Sequence, residues 1–310
     1  MISMPDLQVY LPIADMPVNM FLLVALGAAV GFLSGLFGVG GGFLITPLLI
    51  LLNIPPAVAV ATQAPQIAAS STTSVLAAWR NRLLDWRLGF VLFCGGLLGT
   101  ITGVGVFRIL KDRGQLDIVI ALSYVTLLGV VGVLMLFDWY RTYRRNQSQP
   151  SDTPHVSSMY WMLRLPFQMH FAHSGLTTSL IPICILSYAI GFVGAVIGIG
   201  GGFILIPILL SVFHMRPNCA VAASQFQIML TMLVATVMHA VVNQTVDILL
   251  AIMLIIGGVF GAQFGTRAGR NLKTESFKLL LAILVLAVSV RFAVDLSLTP
   301  KDMFSIAENR

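Results

Sequence analysis

The sequence predicts an all-α, polytopic membrane protein made of two homologous five-segment repeats, inverted relative to each other and each containing a glycine-broken short helix. The first observation is composition: 57% of the 310 residues are hydrophobic and 10% are charged, with a mean hydropathy of +0.93. The second is a series of apolar runs long enough to cross a bilayer. The third is a duplication, because GFLSGLFGVGGGFLITPLLI begins at Gly31 and GFVGAVIGIGGGFILIPILL begins at Gly191. So little charged surface cannot cover a soluble globule of this length.

Eight long apolar runs are predicted to be membrane-spanning helices, because they are too long for strands and do not alternate apolar with polar residues. They lie at about Met20–Phe37, Ala57–Ala78, Leu88–Ile109, Ile118–Phe137, Ile181–Ile197, Ala220–Val242, Ile248–Phe264 and Phe277–Val294. A shorter run follows each glycine cluster, at Phe43–Leu52 and Phe203–Val212. A helix of that length measures about 15 Å, so these two segments either span the membrane or re-enter it.

The duplication extends well beyond the glycines. A shift of about 162 residues superimposes polar and glycine positions of the two halves, including Pro55 on Pro217, Gln63 on Gln225, Asn81 on Asn243, Asp85 on Asp247 and Gly99 on Gly261. We therefore predict a first transmembrane repeat at 18–138 and a second at 178–297. Residues 139–177 are predicted to be a polar linker, Arg141–Ser158, followed by a candidate interfacial helix within Met159–Phe171, which mixes aromatic and basic residues.

Loop charges predict the orientation. Arg80, Arg82 and Arg87 lie in one loop, whereas the equivalent loop around Val242–Asp247 has no lysine or arginine, so the positive-inside rule places the two loops on opposite faces. Both termini are then outside, although Arg108, Lys111 and Arg113 would also lie outside, against the rule. The net charge of +6 lies in short loops and indicates contact with anionic lipids of the bilayer, not with nucleic acid.

Two glycine clusters are the first candidate binding elements. They comprise Gly38, Gly40, Gly41 and Gly42 in one half and Gly198, Gly200, Gly201 and Gly202 in the other. Dense glycine breaks a helix and leaves amide groups without intrahelical partners, so the two breaks could cradle an anion without a buried cation. The alternative is close helix packing, which suits Gly31 with Gly35 and Gly257 with Gly261. Nucleotide-binding loops are excluded, since Phe43 and Phe203 follow the clusters.

Buried polar side chains form the second candidate set. They are Thr62, Gln63 and Gln66 in one half and Ser224, Gln225 and Gln227 in the other; either they bind substrate or they satisfy backbone groups freed by the breaks. His239 is a candidate for proton coupling or, alternatively, an interfacial residue bonded to its neighbours. No acidic residue lies in mid-span, which favours an anionic substrate. The pattern predicts neither an enzyme nor a cofactor or metal site, since Cys94, Cys184 and Cys219 lack metal-ligand spacing.

The repeated GxGGGF motif, the Thr/Ser-Gln pair and the Asn-to-Asp turn resemble the TauE/SafE sulfite exporter family, also called the toluene sulfonate uptake permease family. The resemblance implies a multi-pass permease of the bacterial inner membrane for sulfur-containing anions such as sulfite, thiosulfate, sulfoacetate or an organosulfonate. Its motifs fall on Gly38–Phe43, Gly198–Phe203, Gln63, Gln225, Asn81, Asp85, His239 and Asp247. Ala77 stands where the second half has His239, so a symmetric role for that histidine is in doubt.

Several alternatives stay open at this point. A membrane receptor or scaffold that binds a small anion without moving it would have the same motifs. The substrate, the direction of transport, the coupling ion and the oligomeric state, monomer or homodimer, are not encoded in any pattern that we can interpret.

Overall fold

The computed structural model describes residues 8–37, 42–145, 168–171, 176–213 and 215–268, with further helical positions between 283 and 294. These residues are mostly helical, as predicted. The helices are α1 Met20–Phe37, α2 Gly42–Leu51, α3 Pro56–Arg80, α4 Trp86–Asp112, α5 Leu116–Arg145, α6 Leu180–Ile197, α7 Gly202–Ser211, α8 Pro217–Met238 and α9 Ile248–Ala268. A π-helical turn, His239–Asn243, continues α8.

Four of the described helices are long and apolar enough to cross a membrane: α4, α6, α8 together with its π-helical turn, and α9. The chain is therefore a polytopic membrane protein. The sequence predicted eight long spans, and the difference has a physical cause in α3. That helix has 25 residues, but buried polar residues such as Gln63 and Gln66 lower its hydropathy. Helix α2 has only 10 residues, and most of the predicted span Phe277–Val294 lies outside the described residues.

Two β-hairpins correct the all-α prediction. Strands β1 Gln8–Leu11 and β2 Met16–Asn19 pair antiparallel immediately before α1. Strands β3 Gln168–Phe171 and β4 Leu176–Ser179 do the same before α6, so the end of the predicted interfacial helix is a strand. Such short strands are stabilised by local pairing across a turn and leave too little periodicity in the sequence to be recognised.

The linker also begins later than predicted, because α5 continues through Arg145. Residues 141–145 include three arginines, and positive charge near a helix C-terminus stabilises the helix dipole. The remainder of the predicted linker up to residue 167 lies outside the described residues.

Close helix pairing is produced by glycine. Helix α1 runs parallel to α9, and a methyl group added at Gly31 or Gly35 would overlap the backbone of α9 at Gly258 or Ala262. Helix α4 runs parallel to α6 in the same way, with Gly99 against the backbone of Tyr188. Small residues allow helix backbones to approach closely inside a membrane. The packing interpretation therefore fits Gly31, Gly35, Gly257 and Gly261.

Helices α3 and α8 pack against each other through an apolar cluster of Ala64, Ile67, Ala68, Ile228, Met232 and Ala235. Helix α3 also packs on α9, and α8 packs on α4. The polar residues of α3 and α8 are thus placed among several helices and away from lipid.

The chain divides into two compact units, and each draws on both halves of the sequence. One comprises Met1–Leu116 with Asp152–Leu272, and the other comprises Asp117–Ser151 with Lys273–Arg310. Within the second unit, the Ser289 hydroxyl donates to the backbone oxygen of Val125 in α5 at 3.1 Å. All site residues described below belong to the first unit.

Candidate functional site

The second glycine cluster interrupts the helix between α6 and α7. Helix α6 ends at Ile197 and α7 begins at Gly202. Gly198, Gly200 and Gly201 have φ values of +81°, +73° and +81°, in the left-handed region that other residues rarely adopt. The whole segment is buried. Of the first cluster, Gly38, Gly40 and Gly41 lie outside the described residues, whereas Gly42 is the buried first residue of α2.

This interruption leaves amide groups free. Among the described residues, no acceptor binds the amide groups of Ile199, Gly200 and Gly201. Gly201 is the N-cap of α7 and provides no side-chain cap, so the positive end of the α7 dipole points into the break. Unpaired amide groups at this depth require a ligand, water or protein partner. Free amides at a helix N-terminus are groups to which anions bind in many proteins.

The start of α2 lies against this break. A Cβ atom added at Gly42 would lie 2.9 Å from the Gly198 oxygen and 3.1 Å from the carbonyl carbon of Ile199. Phe43 and Phe203, the residues that follow the two clusters, stack with ring centroids 4.6 Å apart and an interplanar angle of 12°. Both rings are buried. The beginnings of α2 and α7 thus meet inside the protein.

Gln63 is bonded to the break itself. Its side-chain amide donates to the carbonyl oxygen of Gly198, and the residue is fully buried. This bond satisfies a backbone group that the interruption frees, which is one of the two roles that the sequence leaves open for this side chain. Its Oε1 atom has no partner among the described residues.

Gln66 and Gln227 form a second pair of buried amides. The Gln66 amide lies against Gly258 of α9, and the Gln227 amide lies against Gly96 of α4; the sequence shift relates these two glycines. Neither polar atom of the Gln66 side chain, nor Oε1 of Gln227, has a hydrogen-bond partner in the described part of the chain. Leaving such a group unpaired costs about 1 to 3 kcal/mol, so both positions favour bound water or ligand. The offset of about 162 residues between the two halves aligns Gln66 with Ile228. The sequence comparison therefore does not pair Gln66 with Gln227.

The hydroxyl groups of the predicted site have structural partners. Thr62 Oγ1 accepts a hydrogen bond from the Asp247 amide at 2.9 Å. Ser224 Oγ donates to the Val221 oxygen within its own helix at 3.0 Å. Neither hydroxyl is placed with the free amides of the glycine break.

Asp85 and Asp247 begin equivalent helices. Asp85 is the N-cap of α4 and accepts from the amides of Arg87 and Leu88. Asp247 accepts from the amides of Leu249 and Leu250 at 3.1 and 3.2 Å, at the start of α9. An aspartate just before an apolar helix is a capping signal, and that signal could have assigned this role from sequence.

His239 is buried at the π-helical turn. Its Nε2 atom lies 3.2 Å from the Ala195 oxygen, which can only accept, so this nitrogen donates. Its Nδ1 atom lies 2.9 Å from Nδ2 of Asn243. The ring also packs edge-on against Phe107 of α4. The Nε2 contact therefore joins the turn to α6, and the Nδ1 contact lies within the turn. In the described part of the chain, no group of three histidine, cysteine or acidic residues could hold a metal ion.

A cleft of about 510 Å³ opens at the C-terminal end of α3. Its lining comes from α1, α3, α8 and α9 and comprises Gly35, Leu36, Ser74, Ala77, Ala78, Asn81, Leu83, Asn218, Val221, Ala222, Gln225 and Thr266. Gln225 is the one residue of the predicted site among them. The cleft thus connects the end of the helices with the polar interior.

Comparison with known families agrees with this arrangement. The sequence model of the sulfite exporter TauE/SafE family matches residues 23–292. The chain belongs to this family. It is thus a membrane transporter, since relatives along most of its length are named as such.

Three relatives illustrate the range. The probable membrane transporter protein YunE of Bacillus subtilis is 25% identical over 231 residues, which cover 71% of this chain and 78% of the relative. A probable membrane transporter protein of Xylella fastidiosa strain 9a5c is 27% identical over 225 residues, covering 72% and 74%. Sulfite exporter TauE/SafE family protein 5 of Arabidopsis thaliana is 32% identical over 115 residues, covering 36% and 25%. No solved structure matches the chain.

Proposed function

We propose that the protein is a secondary permease of the bacterial inner membrane that moves sulfur-containing anions such as sulfite, thiosulfate, sulfoacetate or an organosulfonate. The observation that carries this proposal is the interruption between α6 and α7. There the amides of Ile199, Gly200 and Gly201 have no acceptor among the described residues, and they lie beside the start of α2. The family to which the chain belongs is named for sulfite export. The substrate binds where the break between α6 and α7 meets the start of α2.

The chemistry of the surrounding side chains suits an anion that must also leave. Buried amides of Gln63, Gln66, Gln225 and Gln227 can donate to sulfite or sulfonate oxygens without a fixed charge. Among the described residues, the buried acidic and basic side chains are Asp85 and Asp247 at helix starts and His239 at the π-helical turn. Neutral donors bind an oxyanion less tightly than a buried cation does, which favours release after each crossing.

The packing supports the inverted repeats of the proposal. Helix α1 pairs with α9, and their counterparts under the sequence shift, α6 and α4, pair in the same manner. A hairpin precedes α1 and another precedes α6 at a spacing of 160 residues. The cap residues agree as well, since Asn19 accepts from the Phe21 amide and Ser179 accepts from the Ile181 amide. A substrate site at the meeting point of two such repeats is typical of transporters.

Flux of radiolabelled sulfite into proteoliposomes, with and without a pH gradient, tests the proposal. Gln66→Leu and Gln227→Leu should each lower sulfite flux at least about tenfold, the loss expected when one hydrogen bond to a charged ligand is removed. Thr72→Val is the matched control, because the Thr72 hydroxyl donates to the backbone of its own helix. Wild-type flux in both glutamine variants would contradict the proposed site.

The glycine break can be tested separately. Gly200→Ala places a side chain at a φ of +73° and its Cβ 3.1 Å from Ile67 Cγ2, so flux should fall, whereas Gly105→Ala meets no atom within 4 Å and should keep it. Stabilisation of the protein by sulfite in a thermal-shift experiment without any flux would instead identify a receptor. If none of the four anions produced either stabilisation or flux, both functions would be rejected.

A further inference from the structure

We propose that the cleft at the end of α3 is a second, peripheral anion site: a vestibule that collects small hydrated oxyanions before they reach the core glutamines. We call it the vestibule, and it is formed by the cleft residues given above. Its biological role rests on the proposed function, but its chemistry can be tested without any transported substrate.

The vestibule lies between matching faces of two helices. On α3, Ser74, Ala77, Ala78 and Asn81 recur at helical spacing, and on α8 Asn218, Val221, Ala222 and Gln225 do so. Each set places one polar residue at either end of a face about 10 Å long, with small apolar residues between them. The C-terminus of α3 and the N-terminus of α8 are at the same end. Asn81 and Asn218 therefore form the mouth, and Ser74 and Gln225 form the floor.

The floor reaches the interior. Gln225 is only 1% exposed, yet it lines the cleft. It follows Ser224 and lies two residues before Gln227, whose amide contacts α4. An ion at the floor thus meets Gln225, one of the buried amides that the proposed function assigns to substrate.

The lining is polar but uncharged, and its size suits a solvated ion. The polar side chains of the lining are Ser74, Asn81, Asn218, Gln225 and Thr266, of which the Thr266 hydroxyl donates to the Gln263 oxygen of its own helix at 3.0 Å. A volume of about 510 Å³ falls within the usual range for ligand pockets, about 300 to 1,000 Å³, and far exceeds one sulfite ion. An oxyanion can therefore enter with part of its hydration shell and exchange waters for neutral donors.

Four exposed arginines lie beside mouth residues in the sequence, and two of them, Arg80 and Arg82, line a neighbouring cleft together with Arg87. Exposed Arg80 flanks Asn81, exposed Arg216 lies two residues before Asn218, and exposed Arg267 follows Thr266. Arg82, on the other side of Asn81, is exposed as well. The acidic residue of the same loop, Asp85, is buried and caps α4. Positive charge near the opening of a cleft raises the local concentration of anions and their association rate, by about 10-fold or more in favourable cases.

The mouth coincides with the loop that the positive-inside rule places in the cytoplasm. The vestibule would then collect anions from the cytoplasmic side. Because exposed charges act over about 8 to 10 Å at physiological salt, this attraction should weaken strongly as ionic strength increases.

Charge-selective thiol labelling tests the vestibule directly. In the full-length protein, Cys94, Cys184 and Cys219 are replaced by alanine, and Ser74→Cys places a single thiol at the floor. We compare the rate at which this thiol reacts with an anionic, sulfonate-bearing methanethiosulfonate and the rate at which it reacts with a cationic, trimethylammonium-bearing one. Gln8→Cys, on the exposed first strand, normalises the intrinsic reactivity of the two reagents.

At low salt the normalised ratio should favour the anionic reagent about tenfold, and it should approach one at about 0.5 M salt. Replacing Arg80, Arg82, Arg216 and Arg267 by glutamine should remove the preference. The control is Arg108→Gln with Arg113→Gln, two exposed arginines near the end of α4, which should leave it unchanged. The four arginine replacements should also raise the sulfite concentration for half-maximal flux several-fold while maximal flux is kept.

Equal normalised rates, a preference insensitive to the four vestibule arginines, or failure of the folded Ser74→Cys protein to react would each overturn the vestibule. Anionic preference in a protein that moves no sulfite would support the vestibule and reject the proposed transport. Sulfite flux with no anionic preference would support the proposed transport and reject the vestibule.

Discussion

The two ends of helix α3 differ in how they are closed. Near its start, Thr62 is fully buried and its hydroxyl accepts from the Asp247 amide at 2.9 Å. The Asp247 carboxylate in turn accepts from the backbone amide of Ile13 in the turn of the first hairpin, also at 2.9 Å. Near its end, Ser74 and Asn81 line the open vestibule. One end is therefore bonded to two other segments, and the other faces space for a ligand.

This difference suggests how a transporter with buried neutral donors controls access. Residues from Thr62 to Asn81 span about 28 Å of helix, so a single helix reaches from a closed end to an open one. Under the proposed function the site is exposed to one side of the membrane at a time, and we expect the described arrangement to give access from the vestibule side. We expect the bonds at the hairpin end to break for access from the other side.

Thiol accessibility should show the largest contrast between the ends. Ala59 is 0% exposed at the closed end, whereas Ser74 lines the vestibule. In a cysteine-free background, Ser74→Cys should react with a small uncharged reagent about 100-fold faster than Ala59→Cys, which corresponds to an opening cost of about 3 kcal/mol. Equal rates would show that both ends open equally often and would contradict the assignment of one end as closed and the other as open.

The sequence predicted the parts of this arrangement that depend on long patterns. Apolar runs predicted the helices and the duplicated glycines predicted where α7 begins, because both signals extend over many residues. The polar character of Gln63, Gln66, Gln225 and Gln227 also identified buried side chains without structural help, since amides are rarely placed in a membrane helix without a partner.

Other features were beyond sequence reasoning. Two glutamines that differ in register, Gln66 and Gln227, reach equivalent glycines only because of how α3 and α8 pack on α9 and α4. The bond from Ile13 to Asp247 joins residues 234 positions apart. The hairpin that contains Ile13 has strands of only four residues. The glycine spacing indicated close packing at Gly31 and Gly35, but the choice of α9 as the partner of α1 follows from three-dimensional fit.

Removal of the Asp247 carboxylate should produce the largest loss of stability at the closed end. Asp247→Ala deletes acceptors for three backbone amides, including the cap of α9, and should lower the free energy of unfolding by about 2 to 4 kcal/mol. Thermal unfolding in detergent would measure this. Asp112→Ala is the control, since that carboxylate is 69% exposed and its ion pair with Arg108 is long, at 3.9 Å. A loss no greater than the control would mean that the hairpin end is not held by Asp247.

Loss of the Thr62 hydroxyl should have a smaller effect. Thr62→Val keeps the shape of the side chain but leaves the buried Asp247 amide without its acceptor, for a cost of about 1 to 2 kcal/mol. Thr62→Ser retains the hydroxyl and should recover most of that loss in the same unfolding experiment. If serine and valine destabilise equally, packing of the methyl group and not the hydrogen bond secures this end.

The smallest effect is expected at the vestibule end. Ser74 is only partly buried and lines the cleft, so Ser74→Ala replaces a hydroxyl that water can reach and should change the free energy of unfolding by less than about 0.5 kcal/mol. Thr62→Val and Ser74→Ala each remove one hydroxyl from α3, and the comparison between them isolates the effect of position. A cost at Ser74 as large as that at Thr62 would mean that this end is packed as firmly as the other, and the one-sided access inferred from the cleft would no longer hold.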